Sequence, residues 1–271
     1  MAYKHGVYTS EVETSLTAPI VGTAGLQVIV GTAPVNMLKD PAAAVNVPLL
    51  VNNYKEAVEA VGYNDDFEAY TLCECISAAF SVVGVAPMVL INVLDPAKHK
   101  ADISEKTMQV NDGVAVLDEV GVLLEGLTIK ADATPLEAGK DYTTTWNNDG
   151  TLNIVLLKGG AGEKATTLTA TGSKIDPSKV KAADIVGGVD ISSGKETGLE
   201  VVRQVYPKLS MTPGILLAPR FSADATVSAA LQAKTKSINS VFGAVCIVDI
   251  NSKTDGAVTV SYTHLRAHET G

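Results

Sequence analysis

Four short apolar runs, separated by segments with helical spacing, constrain the fold of this chain more than any other feature. They are LQVIV at 26–30, PMVLINVLDP at 87–96, ILLA at 215–218 and VFGAVCIVDI at 241–250. Runs rich in Val, Ile and Leu that end at Gly or Pro are typical of strands buried on both faces of a sheet. Helices are predicted over 54–61, about 66–83, 177–185, 197–209 and about 224–239. Asn52 or Asn53 can cap the first of these, and Gly62 ends it.

The middle of the chain has a different pattern. YTTTW and TLNIVLL flank the turn Asn147–Gly150, which is typical of a β-hairpin. We therefore predict an α+β fold, with an α/β-like layered core of mixed sheet and helices and an inserted small antiparallel β domain. The inserted domain is predicted at 113–185. The core is then split between 21–112 and 186–257.

Residues 1–20 are predicted to form an extended N-terminal arm that contains a strand-like segment. The segment consists of Gly6, Val7, Tyr8, Thr9, Ser10, Glu11 and Val12. Alternate side chains of such a strand point to opposite faces. No adjacent segment offers a hairpin turn, so we expect this strand to pair with another copy of the chain.

The final residues do not continue this organisation. The segment SYTHLRAHETG continues neither a strand nor a helix, and it resembles a translated sequencing-adaptor sequence. Residues 258–271 are therefore expected to be a non-native tail. On this interpretation the real sequence stops before its natural end.

Charge and hydropathy exclude several classes of partner. The net charge is −9 and the pI is about 4.9, so the chain repels phosphate groups at long range. No apolar run approaches the ~18 residues of a membrane span, and the N-terminus lacks the apolar stretch of a signal peptide. We expect no nucleic-acid partner and no membrane insertion.

Two segments superficially resemble ligand-binding motifs. His264 and His268 are four residues apart, with Glu269 beside them, but the order differs from that of zinc proteases. The segment KGGAGEKATT at 158–167 resembles a phosphate-binding loop, but Glu163 separates the last Gly from the Lys. We expect a surface turn there, and no metal or cofactor.

The remaining candidates for catalysis also favour a structural role. Five carboxylates lie in one stretch without a paired nucleophile, and we expect a solvated linker there: Asp95, Asp102, Asp112, Asp118 and Glu119. Cys73, Cys75 and Cys246 are too few for a disulfide framework and are expected to be buried, inert thiols. We expect that the protein is not an enzyme, although a hydrolase with an unrecognised site stays an alternative.

An ordered series of segments resembles the contractile phage tail sheath proteins. The N-terminal pattern G-x-Y-x-x-E is formed by Gly6, Tyr8 and Glu11. Further similar segments are IVGTAP at 29–34, 46–62, 185–209, TPGILLAPRFS at 212–222 and SVFGAVCIVDI at 240–250. The resemblance fades after about Gly256, where sheath proteins continue into a C-terminal domain and arm.

The resemblance implies a subunit that polymerises helically around a tail tube and contracts to drive the tube through a cell envelope. The implied partners are neighbouring sheath subunits, the tail tube protein, the baseplate and the tail terminator. The implied location is the virion tail, assembled in the bacterial host cytoplasm. The alternative is a receptor- or glycan-binding module of a phage particle, which an aromatic content of only 5% disfavours.

Overall fold

The computed structural model describes residues 25–250, which form two large β-sheets, a short hairpin and several helices. Elements are numbered in chain order. The strands are β1 Gln27–Gly31, β2 Leu49–Val51, β3 Met88–Asn92, β4 Lys100–Asn111, β5 Val114–Leu117, β6 Thr128–Ala131, β7 Thr134–Leu136, β8 Tyr142–Trp146, β9 Leu152–Leu156, β10 Thr167–Ile175, β11 Gly188–Val189, β12 Glu196–Thr197, β13 Ile215–Leu217 and β14 Val245–Ile247. The α-helices are α1 Tyr54–Val61, α2 Thr71–Ile76, α3 Ala182–Val186, α4 Val205–Leu209 and α5 Ala225–Lys236. The predicted α+β fold is confirmed.

The first sheet contains all four apolar runs. Its strand order is β14–β13–β1–β3–β2, and every neighbouring pair is parallel except β2 with β3. On one face Ile29 packs with Leu72 of α2. On the other face Val28 and Leu216 pack with Leu231 of α5. Helices on both faces explain why these strands are almost continuously apolar.

The second sheet is antiparallel and has its own core. Its order is β7–β6–β10–β4–β5–β9–β8, and Ile129, Ile154 and Leu168 are fully buried between its strands. The predicted hairpin is present as β8 and β9, with Gly150 of its turn at φ 86°. This φ lies in the left-handed region, which glycine adopts without steric cost.

The connections into and out of the second sheet run side by side. β4 and β10 are antiparallel neighbours, and Lys100 at the start of one pairs with Ile175 at the end of the other. Just outside the sheet, Asp176 N donates a hydrogen bond of 2.7 Å to His99 O. The chain therefore enters and leaves this sheet at one place.

The limits of the second sheet, Lys100 and Ile175, differ from the predicted inserted range of 113–185. β4 was not predicted because most of its side chains are polar and exposed, and only Ile103 and Met108 are buried. Ile185 lies in the core of the first sheet. The division of the chain into domains remains a prediction.

Two predicted helices have different limits in the structure. α2 begins at Thr71 and not near residue 66, because Thr71 N donates to Thr32 Oγ1 and fixes the first turn there. It continues as a π-helical segment, Ser77–Val83. The helix predicted at 177–185 is a 3-10 turn, Pro177–Lys179, followed by α3.

Glu119, just after β5, links the chain there to β4 and β10, and its ionisation should stabilise the fold. Its carboxylate lies 2.8 Å from Lys106 Nζ on β4 and 2.6 Å from Lys174 Nζ on β10. Hydrogen bonds from these two ammonium groups lower the pKa of Glu119 from its ordinary value of 4.5. We expect Glu119→Gln to reduce the free energy of unfolding by about 1 kcal/mol at pH 7, measured by urea denaturation.

The pH dependence of this difference tests its cause. A carboxyl group with a lowered pKa stabilises the fold above its unfolded-state pKa, and the stabilisation is lost as the pH falls through the folded-state pKa. Glu119→Gln and the wild type should therefore converge as the pH is lowered from 7 towards 3. Glu137, 70% exposed beside Lys140, is the control, and its substitution by Gln should have little effect. A difference at Glu119 that is as large at pH 3 as at pH 7 would show that the ion pairs are not its cause.

Candidate assembly surface

The predicted arm strand Gly6–Val12 lies outside the described residues, and so does the segment 258–271 with its two histidines. Inter-subunit pairing by the arm remains a prediction. The described residues nevertheless contain the sheet edges to which a strand from another copy could add.

β14 is one edge of the first sheet. It pairs with β13 in parallel register, with Ile215 opposite Val245, and no strand within residues 25–250 pairs with its other side. Val245 N donates a hydrogen bond of 3.0 Å to Gly214 O. Because successive residues of a strand alternate in direction, the N–H and C=O of Cys246 point away from β13. No strand within the described part of the chain bonds to them, so they can pair with an added strand.

One face of this edge strand is apolar and exposed. Val245 and Ile247 are 60% and 57% exposed, and Val241 just before them is 75% exposed. Cys246, on the opposite face, packs against the core of the first sheet. An edge with free main-chain groups and bare apolar side chains is a template for pairing with another chain.

The other three edges are less suited to strand addition. β2 has three residues, and Val51 at its end is buried. β7 also has three residues and contains Pro135, which has no N–H to donate. β8 exposes the polar residues Thr143 and Thr145. Of the four edges of the two large sheets, β14 is the one with large apolar side chains that are more than half exposed.

The carboxyl ends of the parallel strands, where open α/β sheets usually bind ligands, are occupied by the protein's own side chains. Asn92 is fully buried, and its Oδ1 accepts hydrogen bonds of 3.1 Å from both Ala33 N and Leu94 N. Its Nδ2 donates to Leu94 O at 3.0 Å. Thr32 and Thr71 exchange hydrogen bonds beside it. The polar groups that could contact a cofactor here instead hold the loops after β1 and β3 together.

The segment that resembles a phosphate-binding loop is a turn between β9 and β10. Gly159 N donates a hydrogen bond of 2.9 Å to the Glu163 carboxylate, so the loop's own negative charge lies where a phosphate would bind. Among residues 25–250, no cluster of three or more His, Cys, Asp and Glu side chains could hold a metal ion. None of the helices in that range has both the length and the apolarity needed to cross a bilayer.

The stretch that holds the five carboxylates was expected to be a solvated linker, which is wrong, because β4 and β5 lie within it. Asp95 Oδ1 accepts a hydrogen bond from Ala97 N, and Asp112 lies in the tight turn between β4 and β5. Glu119 is held by the two lysines described above. Burial raises the pKa of both Cys73 and Cys75 to about 12, so both thiols stay protonated at neutral pH and are poor nucleophiles.

Comparison with known proteins identifies one related class. The chain is 27% identical over 250 residues to the tail sheath protein of Burkholderia phage BcepMu. The aligned region covers 91% of this chain and 48% of that protein, so the chain spans about half the length of the curated relative it matches. No protein-family model matches the chain. The predicted resemblance to phage tail sheath proteins is confirmed.

Proposed function

We propose that this chain is a structural subunit of a contractile phage tail sheath. It polymerises helically around a tail tube and contracts to drive the tube through a cell envelope. The observation that carries this proposal is the alignment to a tail sheath protein, which covers 91% of the chain at 27% identity. Its partners are neighbouring sheath subunits, the tail tube protein, the baseplate and the tail terminator. It acts in the virion tail after assembly in the bacterial host cytoplasm.

The contact between subunits is the addition of residues 6–12 of one copy to the β14 edge of the next. Strand addition gains affinity from main-chain hydrogen bonds and specificity from alternate side chains. Each hydrogen bond contributes about 0.5–1.5 kcal/mol net, so a strand of this length contributes a few kcal/mol after the cost of ordering it. The contact is heterologous, so it can repeat along an open helical polymer when the rotation between subunits does not close a ring.

The length of chain between the arm and the core supports a contact with a neighbour. Residues 13–24 separate the predicted strand from the first described residue, Gly25. Fully extended, they span at most ~40 Å. A compact domain of this size has a radius of gyration of roughly 17 Å, which for a sphere corresponds to a diameter of about 44 Å. The arm strand can therefore reach most of the way across one subunit.

The geometry does not favour the alternative of a receptor- or glycan-binding module. Tyr142 and Trp146 are the aromatic residues of the second sheet. Tyr142 is buried, and Trp146 packs against the core of that sheet. Neither ring is fully exposed, as a platform for stacking a sugar would be. The structural role is also favoured over catalysis.

Electron microscopy of the purified full chain, alone and with a tail tube protein, tests the proposal. We expect tubes or stacked rings, together with a fast-sedimenting species in analytical ultracentrifugation. A protein that stays monomeric under both conditions, at the highest attainable concentration, would overturn the proposed function.

A further inference from the structure

The turn of the β8–β9 hairpin contacts the loop that follows α1. Asn64 in this loop is 4% exposed, and its Nδ2 donates a hydrogen bond of 3.1 Å to Asp149 O in the turn. Its Oδ1 accepts a hydrogen bond of 2.7 Å from Asp66 N, so both ends of the amide are paired. The interaction of Asn64 with the turn joins the two halves of the molecule, and we call it the hairpin contact.

The turn that makes the hairpin contact is held in shape by its own hydrogen bonds and fits closely against the loop. Asp149 Oδ1 accepts hydrogen bonds from Thr151 N at 2.9 Å and from Thr151 Oγ1 at 2.7 Å. A Cβ atom on Gly150 would lie 2.6 Å from Asn64 Nδ2 and 3.5 Å from Met37 Cε. Carbon atoms in good contact lie about 3.5–4.0 Å apart, so a side chain at this position would push the turn away from the loop.

A second group of contacts lies beside the connection through which the chain enters and leaves the second sheet. Leu123, between β5 and β6, packs in the core of the first sheet, and its N donates a hydrogen bond of 2.9 Å to Ser173 O. Ser173 is two residues before Ile175, which packs in the same core. These contacts therefore lie at the paired ends of β4 and β10. Hinges in proteins are formed by a few such residues at the ends of elements.

The two large sheets do not share one continuous core. The buried apolar residues of the second sheet form a cluster of their own, separate from the two clusters on either face of the first sheet. A cleft of about 730 Å³ lies between the sheets, and Leu38, Leu123 and Ser173 are among the residues that line it. Two bodies with separate cores usually move relative to each other unless a large apolar interface joins them.

We propose that the second sheet turns as one body about the connection at Lys100 and Ile175, and that the hairpin contact holds it in its present orientation. Breaking the contact leaves both cores intact, and water replaces the hydrogen bond between Asn64 Nδ2 and Asp149 O. Leu123 lies beside the axis, where the displacement is smallest. On the proposed function, this motion lets the second sheet change its orientation while the lattice formed by the first sheet changes its spacing.

Pulsed electron paramagnetic resonance between two spin labels measures the orientation. The labels are placed by Lys55→Cys on α1 and Thr145→Cys on β8, both exposed sites, in the full chain with Cys75 and Cys246 replaced by Ala. Labelled chain is diluted into unlabelled chain, so that only distances within one copy are recorded and polymerisation does not affect the result. We expect the wild type to show one main distance and a second population of about 10% or less.

Gly150→Ala should increase the second population. Its methyl group would collide with Asn64, and we expect a rise of at least about fivefold, since the loss of one hydrogen bond changes such an equilibrium by roughly that factor. Gly113→Ala is the matched control. Gly113 also has a positive φ, 78°, in a hairpin turn of the same sheet, but a Cβ atom there meets nothing within 4 Å. It carries similar backbone strain without the collision and should keep the wild-type distances.

Asn64→Asp tests the same contact from the other side. The carboxylate still accepts the hydrogen bond from Asp66 N but has no proton to donate to Asp149 O, so this variant should behave like Gly150→Ala. Circular dichroism checks that each variant is folded. If neither folded variant changes the distances more than Gly113→Ala does, the hairpin contact does not hold the sheet, and the proposal is overturned. An equal change in Gly113→Ala would also overturn it, because strain within turns would then explain the effect.

Discussion

A variant without residues 1–15 should fold into a stable monomer that does not enter a helical polymer. Both large sheets and their cores lie within residues 25–250, so the deletion leaves every contact among those residues in place. It does remove the strand proposed to pair with the next subunit. A loss of a few kcal/mol at each contact weakens each joint by roughly 100-fold or more, and a polymer multiplies this loss along its length. Circular dichroism and thermal melting test folding, and electron microscopy tests assembly.

A second variant distinguishes the loss of the strand from the loss of chain length. Replacing residues 6–12 by Gly and Ser keeps the linker but removes the alternating side chains and the strand propensity. It should also fail to assemble. Normal tubes from either variant would refute the role proposed for the arm.

Lysines at positions 245 and 247 should block assembly, because they should prevent the arm of another copy from adding to the β14 edge. Val245 and Ile247 are more than half exposed, so a Val245→Lys, Ile247→Lys double variant should retain the fold. Charged side chains on an edge strand oppose the addition of another strand, and natural proteins use lysine there for that purpose. We expect loss of tubes. A synthetic peptide of residues 1–20 should bind the double variant at least about tenfold more weakly than the wild type in fluorescence anisotropy.

The matched control places the same two charges elsewhere. Val82 and Val83, at the end of the π-helical segment, are 78% and 67% exposed. Val82→Lys, Val83→Lys should assemble and should bind the peptide as the wild type does. If both double variants lose assembly equally, added charge alone explains the effect, and β14 is not the receiving edge.

The elements that the sequence predicts well are those with local causes. β1, β3, β13 and β14 coincide with apolar runs, and α1 begins after Asn53, whose side chain caps Glu56 N. Gly62 ends this helix at φ 78°. The β8–β9 hairpin follows from its turn residues. Each of these features depends on contacts within a few positions along the chain.

The features that the sequence does not predict depend on contacts between distant segments. The run at β14 has the composition of a buried strand, and only its place in the strand order makes it an exposed edge. β4 is a strand because β10 pairs along nearly its whole length, although its own residues are mostly polar. Asn36 is buried beside segments that belong to both large sheets, and this is evident only from the structure. The predicted arm residues lie outside the described range, and the experiments above test their role.

The side-by-side connections of the second sheet affect how sheaths can diversify. Because Lys100 and Ile175 are paired neighbours, the distance between the two halves of the core does not depend on what lies between them. That sheet can be enlarged, reduced or exchanged without moving β3 relative to β13. In a polymer, the spacing and twist of the lattice would then be set by the core alone. On the proposed function, the second sheet could therefore change in evolution while the lattice formed by the core stays the same.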